Sequence, residues 1–245
     1  MDATLHQAVA TNNEAVYLLD SGNLAEAVCA FQRAVAIMKV AASSSVPPPP
    51  SGIRSQHRKK GAVTADSLFG FHHSSALPGL QYGHAFVYDR PLLIPQAAAS
   101  LDLASASPSE VDSIVTVTST ILMFNFAMAC HHIGKITGQD APLQNAYELY
   151  GLVLQCLQCS NNDEPHHHPD DSVTLVLQCL ALNNLAQLQY CEYCEFEKSR
   201  LCLDELLRTA SKCACCFDLY LAPDQVEELM LNLIHLDPPT AASVA

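Results

Sequence analysis

Along most of the chain apolar residues recur every three or four positions, the spacing that keeps them on one face of an α-helix. Breaks in that rhythm coincide with turn residues. Asp20-Ser21-Gly22-Asn23 separates two apolar-periodic runs. Gly22 there suits the left-handed conformation that closes a helix. Asn23 is placed to cap the next helix, with Glu26 three residues on completing a capping box. Ser107-Pro108-Ser109-Glu110 carries an N-cap, a proline at the first helical position and a glutamate at the third. Proline interrupts helix interiors, because it lacks an N–H and clashes with the preceding turn. Eight of the 14 prolines fall between Pro47 and Pro108, and Pro142 and Pro223 stand where first helical turns begin. The pattern predicts helices over 3–20, 24–41, 109–134, 142–160, 171–192, 196–219 and 224–236.

Between the second and third helices lies an insertion, residues 42–107. Its first part, SSSVPPPPSGIRSQHRKK over Ser43–Lys60, is rich in serine and proline and then basic. It lacks the apolar content to fold, so 43–80 reads as a flexible linker. Its basic end fits a solvated linker better than a nuclear-import signal. Tyr82–Pro95, YGHAFVYDRPLLIP, differs: three aromatics precede Leu92, Leu93 and Ile94, with prolines at 91 and 95. Such a segment prefers an extended form. Its apolar residues predict that 82–95 docks on the helical body, either in a groove or as a staple on the outer side.

Three helix pairs align with one another: residues 12–35, then 124–135 with 143–154, then 183–207. The first helix of each carries Asn-x-Ala (Asn13 and Ala15, Asn125 and Ala127, Asn184 and Ala186). The second carries a small residue, a large one four later and an apolar one three after that. These are Ala27, Phe31 and Ala34; Ala146, Tyr150 and Val153; and Ser199, Leu203 and Leu206. Small residues let helices cross closely, and the large neighbour fills the space beside the crossing. The pattern resembles the tetratricopeptide repeat, a helix-turn-helix unit of about 34 residues. It departs from it in lacking tryptophan, in seven extra residues between Gly134 and Ala146, and in one extra residue before Ser199. NNLAQ, FEKSRLCLDELL, FVYDRPLLIP and the ending LMLNLIHLDPPTAASVA also resemble TPR-like proteins of unicellular algae, which implies an architecture and no activity. The expected fold is all-α: stacked antiparallel helix pairs, a TPR-like α-solenoid fragment, with one long, partly disordered insertion. The expected organisation is one structural domain: a first pair at 1–41, the insertion at 42–107, a helical body at 108–236 and a tail at 237–245.

Composition narrows the function. Of 245 residues, 49% are hydrophobic and 15% charged, with 25 Asp and Glu against 12 Lys and Arg. A net charge of −13 opposes nucleic-acid binding, which needs a basic footprint. Ser113–Gly134 and Ser172–Cys191 carry no charged residue. Their many amide and hydroxyl side chains favour buried helices of a soluble protein over membrane spans. The N-terminus lacks the basic and apolar regions of a secretory signal. With 11 cysteines, this predicts a reducing, cytoplasmic setting with mostly free thiols, a nuclear one being the alternative.

Candidate chemistry is sparse. Cys156-x-x-Cys159 and Cys191-x-x-Cys194 have the short spacing of zinc ligands, and Cys213-x-Cys215-Cys216 follows. The two pairs are 31 residues apart and lie in apolar helical runs, where cysteine also serves as a small core residue. His166-His167-His168 lies among Asp163, Glu164, Asp170 and Asp171, in a polar loop. His131-His132 is expected to end a helix and face its last carbonyls. No phosphate loop, nucleophile elbow or HExxH occurs. The sequence therefore predicts a non-catalytic protein-interaction scaffold without a cofactor, and as the alternative a zinc module built on Cys156, Cys159, Cys191 and Cys194. A repeat of this kind presents a concave face to a protein or peptide. The alignment puts Asn12, Val16, Phe124, Met128, His131, Asn183, Gln187 and Tyr190 on it. The family's carboxylate clamp of lysine and arginine has no counterpart at these positions. Asn13, Asn125 and Asn184 are expected chiefly to hydrogen-bond between helices.

Overall fold

A computed structural model describes residues 2–43, 72–73, 87–95, 106–160 and 171–235. These are almost wholly helical. Helix α1 (Asp2–Asp20) pairs with α2 (Leu24–Ser43), α3 (Pro108–Thr137) with α4 (Asp140–Ser160), and α5 (Asp171–Cys191) with α6 (Phe196–Cys213). A short α7 (Phe217–Tyr220) and α8 (Pro223–His235) complete the described helices. Each pair also packs on the next, α2 against α3 and α4 against α5, and α3 touches both α1 and α5. Two short extended segments, β1 (His72–His73) and β2 (Leu92–Leu93), pair antiparallel.

Local signals in the sequence explain the helix ends. Ser107 caps α3: its side chain accepts from the Glu110 N–H, and the Glu110 carboxylate accepts from the Ser107 N–H at 2.7 Å. Gly22, at φ 81°, closes α1. Its own N–H donates to the Leu19 carbonyl and the Asn23 N–H to that of Leu18, the paired bonds of a Schellman cap. The side chain of Asn23 donates to Ser21 Oγ.

Two boundaries differ from expectation. Helix α3 runs past Gly134 to Thr137 and ends at Gly138, φ 64°. His131 and His132 are therefore buried inside a helix, not facing terminal carbonyls. The helix expected over 196–219 stops at Cys213, and Ala214–Cys216 tightens into a 3₁₀ turn. Three of the four residues at that break are cysteines, which are poor helix formers.

The repeat irregularities are absorbed without losing the alignment. Each hairpin has one left-handed residue two places before its second helix: Gly22, Gly138 and Cys194. In the second pair, four extra residues precede that point and three follow it, relative to the first pair. About one turn is thus added to each helix, and the faces keep their register. The third pair has one extra residue before Cys194, taken up by a widened turn in which the Glu195 N–H reaches the Gln189 carbonyl. All nine small, large and apolar positions named above are buried. The uncharged stretch in α3 is long and apolar enough to cross a membrane by length and composition, and most of it is buried against other helices.

The two helices of the second pair approach tightly at Gly134. A Cβ there would stand 2.5 Å from the Leu143 side chain and 3.1 Å from its backbone nitrogen. Around exposed Gly151 of α4 a Cβ would meet nothing within 4 Å. The same substitution should therefore have opposite effects. Gly151→Ala gains up to about 1 kcal/mol of helix propensity. Gly134→Ala loses about 1 kcal/mol or more, because overpacking at a helix crossing exceeds that gain. Denaturant titration of both variants, read by circular dichroism, checks the signs.

Candidate functional site

An extended strand buried in a helical protein has little sheet to satisfy its backbone, here only the two-residue β1 on one edge. Every buried N–H and C=O of residues 87–95 needs another partner. Three asparagines supply them. Asn184 Oδ1 accepts from the Tyr88 N–H at 2.8 Å while its Nδ2 donates to the Tyr88 carbonyl at 2.9 Å. Asn125 does the same for Leu92, at 2.8 Å in both directions. Asn13 does so for Ile94, at 3.0 and 2.8 Å. These are the three asparagines of the repeated Asn-x-Ala. Each first helix thus offers one amide to the strand, and the segment crosses the pairs in reverse order, from the third to the first.

The alternation of a β-strand explains which residues are gripped. Leu92 and Ile94 send their backbone groups to one edge, the asparagine edge, and Leu93 sends its own to the other. On that second edge β1 pairs with β2, with His72 opposite Leu93 and His73 opposite Leu92. Both edges of the strand are thus covered at Leu92–Leu93.

A second layer holds the amides in place. Asn125 Nδ2 also donates to Asn12 Oδ1 at 3.0 Å, and Asn184 Nδ2 to the Tyr150 hydroxyl at 3.1 Å. Asn12 Nδ2 donates to Asn13 Oδ1 and, at 3.4 Å, to the Leu92 carbonyl. Asn183 repeats the arrangement in the third pair, donating to Asn184 Oδ1 and accepting from Asn232 of α8. The expected helix-to-helix bonding of Asn125 and Asn184 is thus half of their role. The other half is the strand's backbone.

Of the residues expected to line an open concave face, Asn12, Val16, Phe124, Met128, His131, Asn183 and Gln187 are buried, and Tyr190 is half-buried against Phe196. The docked segment is the reason for several. Phe124 lies between Tyr88 and Tyr150, with ring centroids 6.0 and 5.9 Å away. Val16 and Met128 belong to a cluster that half-buried Leu93 packs against. His131 stands edge-on to Tyr150, and burial lowers its pKa to about 3, so the ring is neutral. Gln187 Oε1 accepts from the Cys191 thiol. Of the segment expected to dock, residues 87–95 contact all three pairs through these asparagines, and residues 82–86 lie outside the described residues.

Side chains of the segment meet α8. The Tyr88 ring is fully buried, and its hydroxyl lies beside Gln225. Burial raises the Tyr88 pKa, keeping the phenol neutral. Arg90 forms an ion pair with Asp224 at 3.2 Å. Asp89 is partly buried and its pKa is pushed up to about 6, by desolvation first, with Glu228 adding to the rise and Arg90 opposing it. Sequence reasoning missed these α8 residues. Their only signal was the capping pattern at Pro223.

The metal alternative gains no geometry. Cys191 and Cys194 are exposed at the α5–α6 turn and Cys156 is half-buried on α4, while the Cys159 side chain and His166–His168 fall outside the described residues. Among the described residues no three His, Cys, Asp or Glu side chains converge. No protein-family model matches the chain, and no curated protein or solved structure matches it.

Removing the central amide should be costly. Asn125→Ala strands the buried N–H of Leu92 and leaves its C=O only the longer bond from Asn12, at 3.4 Å, where an unsatisfied buried group costs about 1–3 kcal/mol. The expected loss is about 2–4 kcal/mol in denaturant titration. Asn13→Ala, at a half-buried position, should lose less.

The Asp89 carboxyl gives a sign for pH dependence. Its pKa is higher in the docked chain than in the unfolded one, so docking takes up a proton. This contribution is complete below about pH 4 and is lost as pH rises through about 6. Asp89→Asn should stabilise the chain at pH 7.5 relative to the parent, and the difference should shrink towards pH 4. Melting temperatures of the two proteins across that range test it.

Proposed function

We propose that this chain is a non-catalytic interaction scaffold of TPR-like helix pairs whose asparagine-bearing face holds an extended polypeptide. The observation that carries this reading is the three-step ladder of Asn13, Asn125 and Asn184. Each gives one acceptor and one donor to a single residue of an extended chain. That arrangement recognises a peptide backbone without regard to side chain. In the chain by itself the face is filled by residues 87–95, which then act as a ligand supplied in cis. A cytoplasmic setting accords with the count of free thiols among the described residues.

A labelled synthetic peptide spanning residues 84–97 tests the reading. A tethered segment acts at millimolar effective concentration, so the intact chain should bind the peptide poorly. Leu92→Ala combined with Ile94→Ala weakens the tethered copy. That variant should bind the peptide saturably and at least ~10-fold more tightly than the parent. Adding Asn125→Ala should abolish binding. A helical variant that takes up no peptide would refute the proposal.

A further inference from the structure

Two of the free cysteines touch. Cys179, within α5, and Cys213, the last residue of α6, bring their sulfurs to 3.8 Å. Both are fully buried. The Cys213 thiol donates to the Thr209 carbonyl one turn back at 3.3 Å. Its proton is thereby engaged, so between the two sulfurs Cys179 is the donor. Packing alone does not call for sulfur here. In the repeat alignment Cys179 and Cys213 correspond to Ala8 and Ala41 of the first pair, and both alanines are buried. Methyl groups thus occupy the same two core positions there. Disulfide sulfurs lie about 2.05 Å apart, so a closure of under about 2 Å separates this contact from a bond.

We propose that Cys179 and Cys213 form a reversible disulfide that locks α5, the helix of Asn184, to the end of α6 when the chain meets hydrogen peroxide. The pair is reached where α6 gives way to the 3₁₀ turn Ala214–Cys216. Cys213 is flanked there by exposed Lys212 and Ala214, so a brief opening of the helix end admits a molecule the size of peroxide. The Cys213 thiolate attacks one peroxide oxygen, the O–O bond breaks, and hydroxide leaves, giving a sulfenic acid. The Cys179 sulfur then attacks the sulfur of Cys213, forming the S–S bond as the S–O bond breaks and a second hydroxide leaves. Both thiol protons end on the two hydroxides as water, and two electrons pass from the thiols to the peroxide. Cys213 reacts first, because the hydrogen bond from Cys179 lowers its pKa against the opposing effect of burial, while that of Cys179 is raised. In a reducing setting such a bond is conditional, formed under oxidant and reversed by thiol exchange. The inference is independent of the peptide-binding reading.

The test uses the full chain, fully reduced and then treated with hydrogen peroxide while folded. Remaining thiols are alkylated after denaturation, and every cysteine is mapped by mass spectrometry. The expected product is a Cys179–Cys213 crosslink in most molecules, absent after treatment with dithiothreitol. It joins residues 34 positions apart, so the thermal unfolding midpoint should rise by about 5–10 °C. Cys179→Ala and Cys213→Ala each place the first pair's residue at its position. These variants should fold, form no such crosslink and show no rise.

Oxidation confined to exposed Cys29, Cys191 and Cys194, with Cys179 and Cys213 still open to alkylation, would overturn the inference. A crosslink from either residue to a different cysteine would do the same. So would a Cys179–Cys213 bond that leaves the midpoint where it was, because the lock would then hold nothing. Should an alanine variant unfold, the crosslink map and midpoint of the parent chain decide the outcome alone.

Discussion

A single strand cannot be buried unless something answers its backbone, and in this chain three side-chain amides do so. An asparagine amide has the same donor and acceptor geometry as a peptide group, so one side chain can pair both groups of one residue. The structure around the ladder follows from that need. The first helices must lie side by side for their asparagines to form a row, and the small residues at the crossings permit it. The amides must not rotate, so Asn12, Tyr150 and Asn183 take up their remaining hydrogen-bonding capacity. The asymmetry of hydrogen-bond energetics makes the ladder decisive. A satisfied buried bond contributes modestly, whereas a buried backbone group left without one is expensive.

Apolar contacts supply the net drive that the hydrogen bonds cannot. Tyr88, Leu92 and Ile94 are fully buried, each contributing about 1.5–3 kcal/mol relative to exposure. Pro91 restricts the unfolded segment and lessens the entropy lost on docking. The segment thereby joins α1, α3, α5 and α8, elements that lie far apart in sequence. Lys135 of α3 and Glu192 at the end of α5 add an ion pair across two of these pairs.

Local features of the chain made much of this readable in advance. The Ser107 capping box, the closure at Gly22 and the nine crossing residues are all expressed within a few positions of sequence. The docking of 87–95 followed from six apolar residues set between prolines in a polar stretch. The role of the asparagines did not follow. Their partners are 33, 81 and 96 residues away, and an isolated Asn on an apolar helix face suits a helix-to-helix bond equally well. Gln225 and Asp224 carried no periodic signal, since α8 lies outside the repeat. The α3 boundary was missed because Gly134 looks like a helix stop, while its missing side chain serves close packing against Leu143.

On the proposed reading, the ladder has a physical logic. Amide pairing to backbone gives affinity with little discrimination, because every residue but proline presents the same two groups. A ligand that is part of the chain also sets a threshold. Its effective concentration is millimolar, so an external segment with merely equal contacts cannot displace it at cellular abundance. Only a segment with an added advantage can.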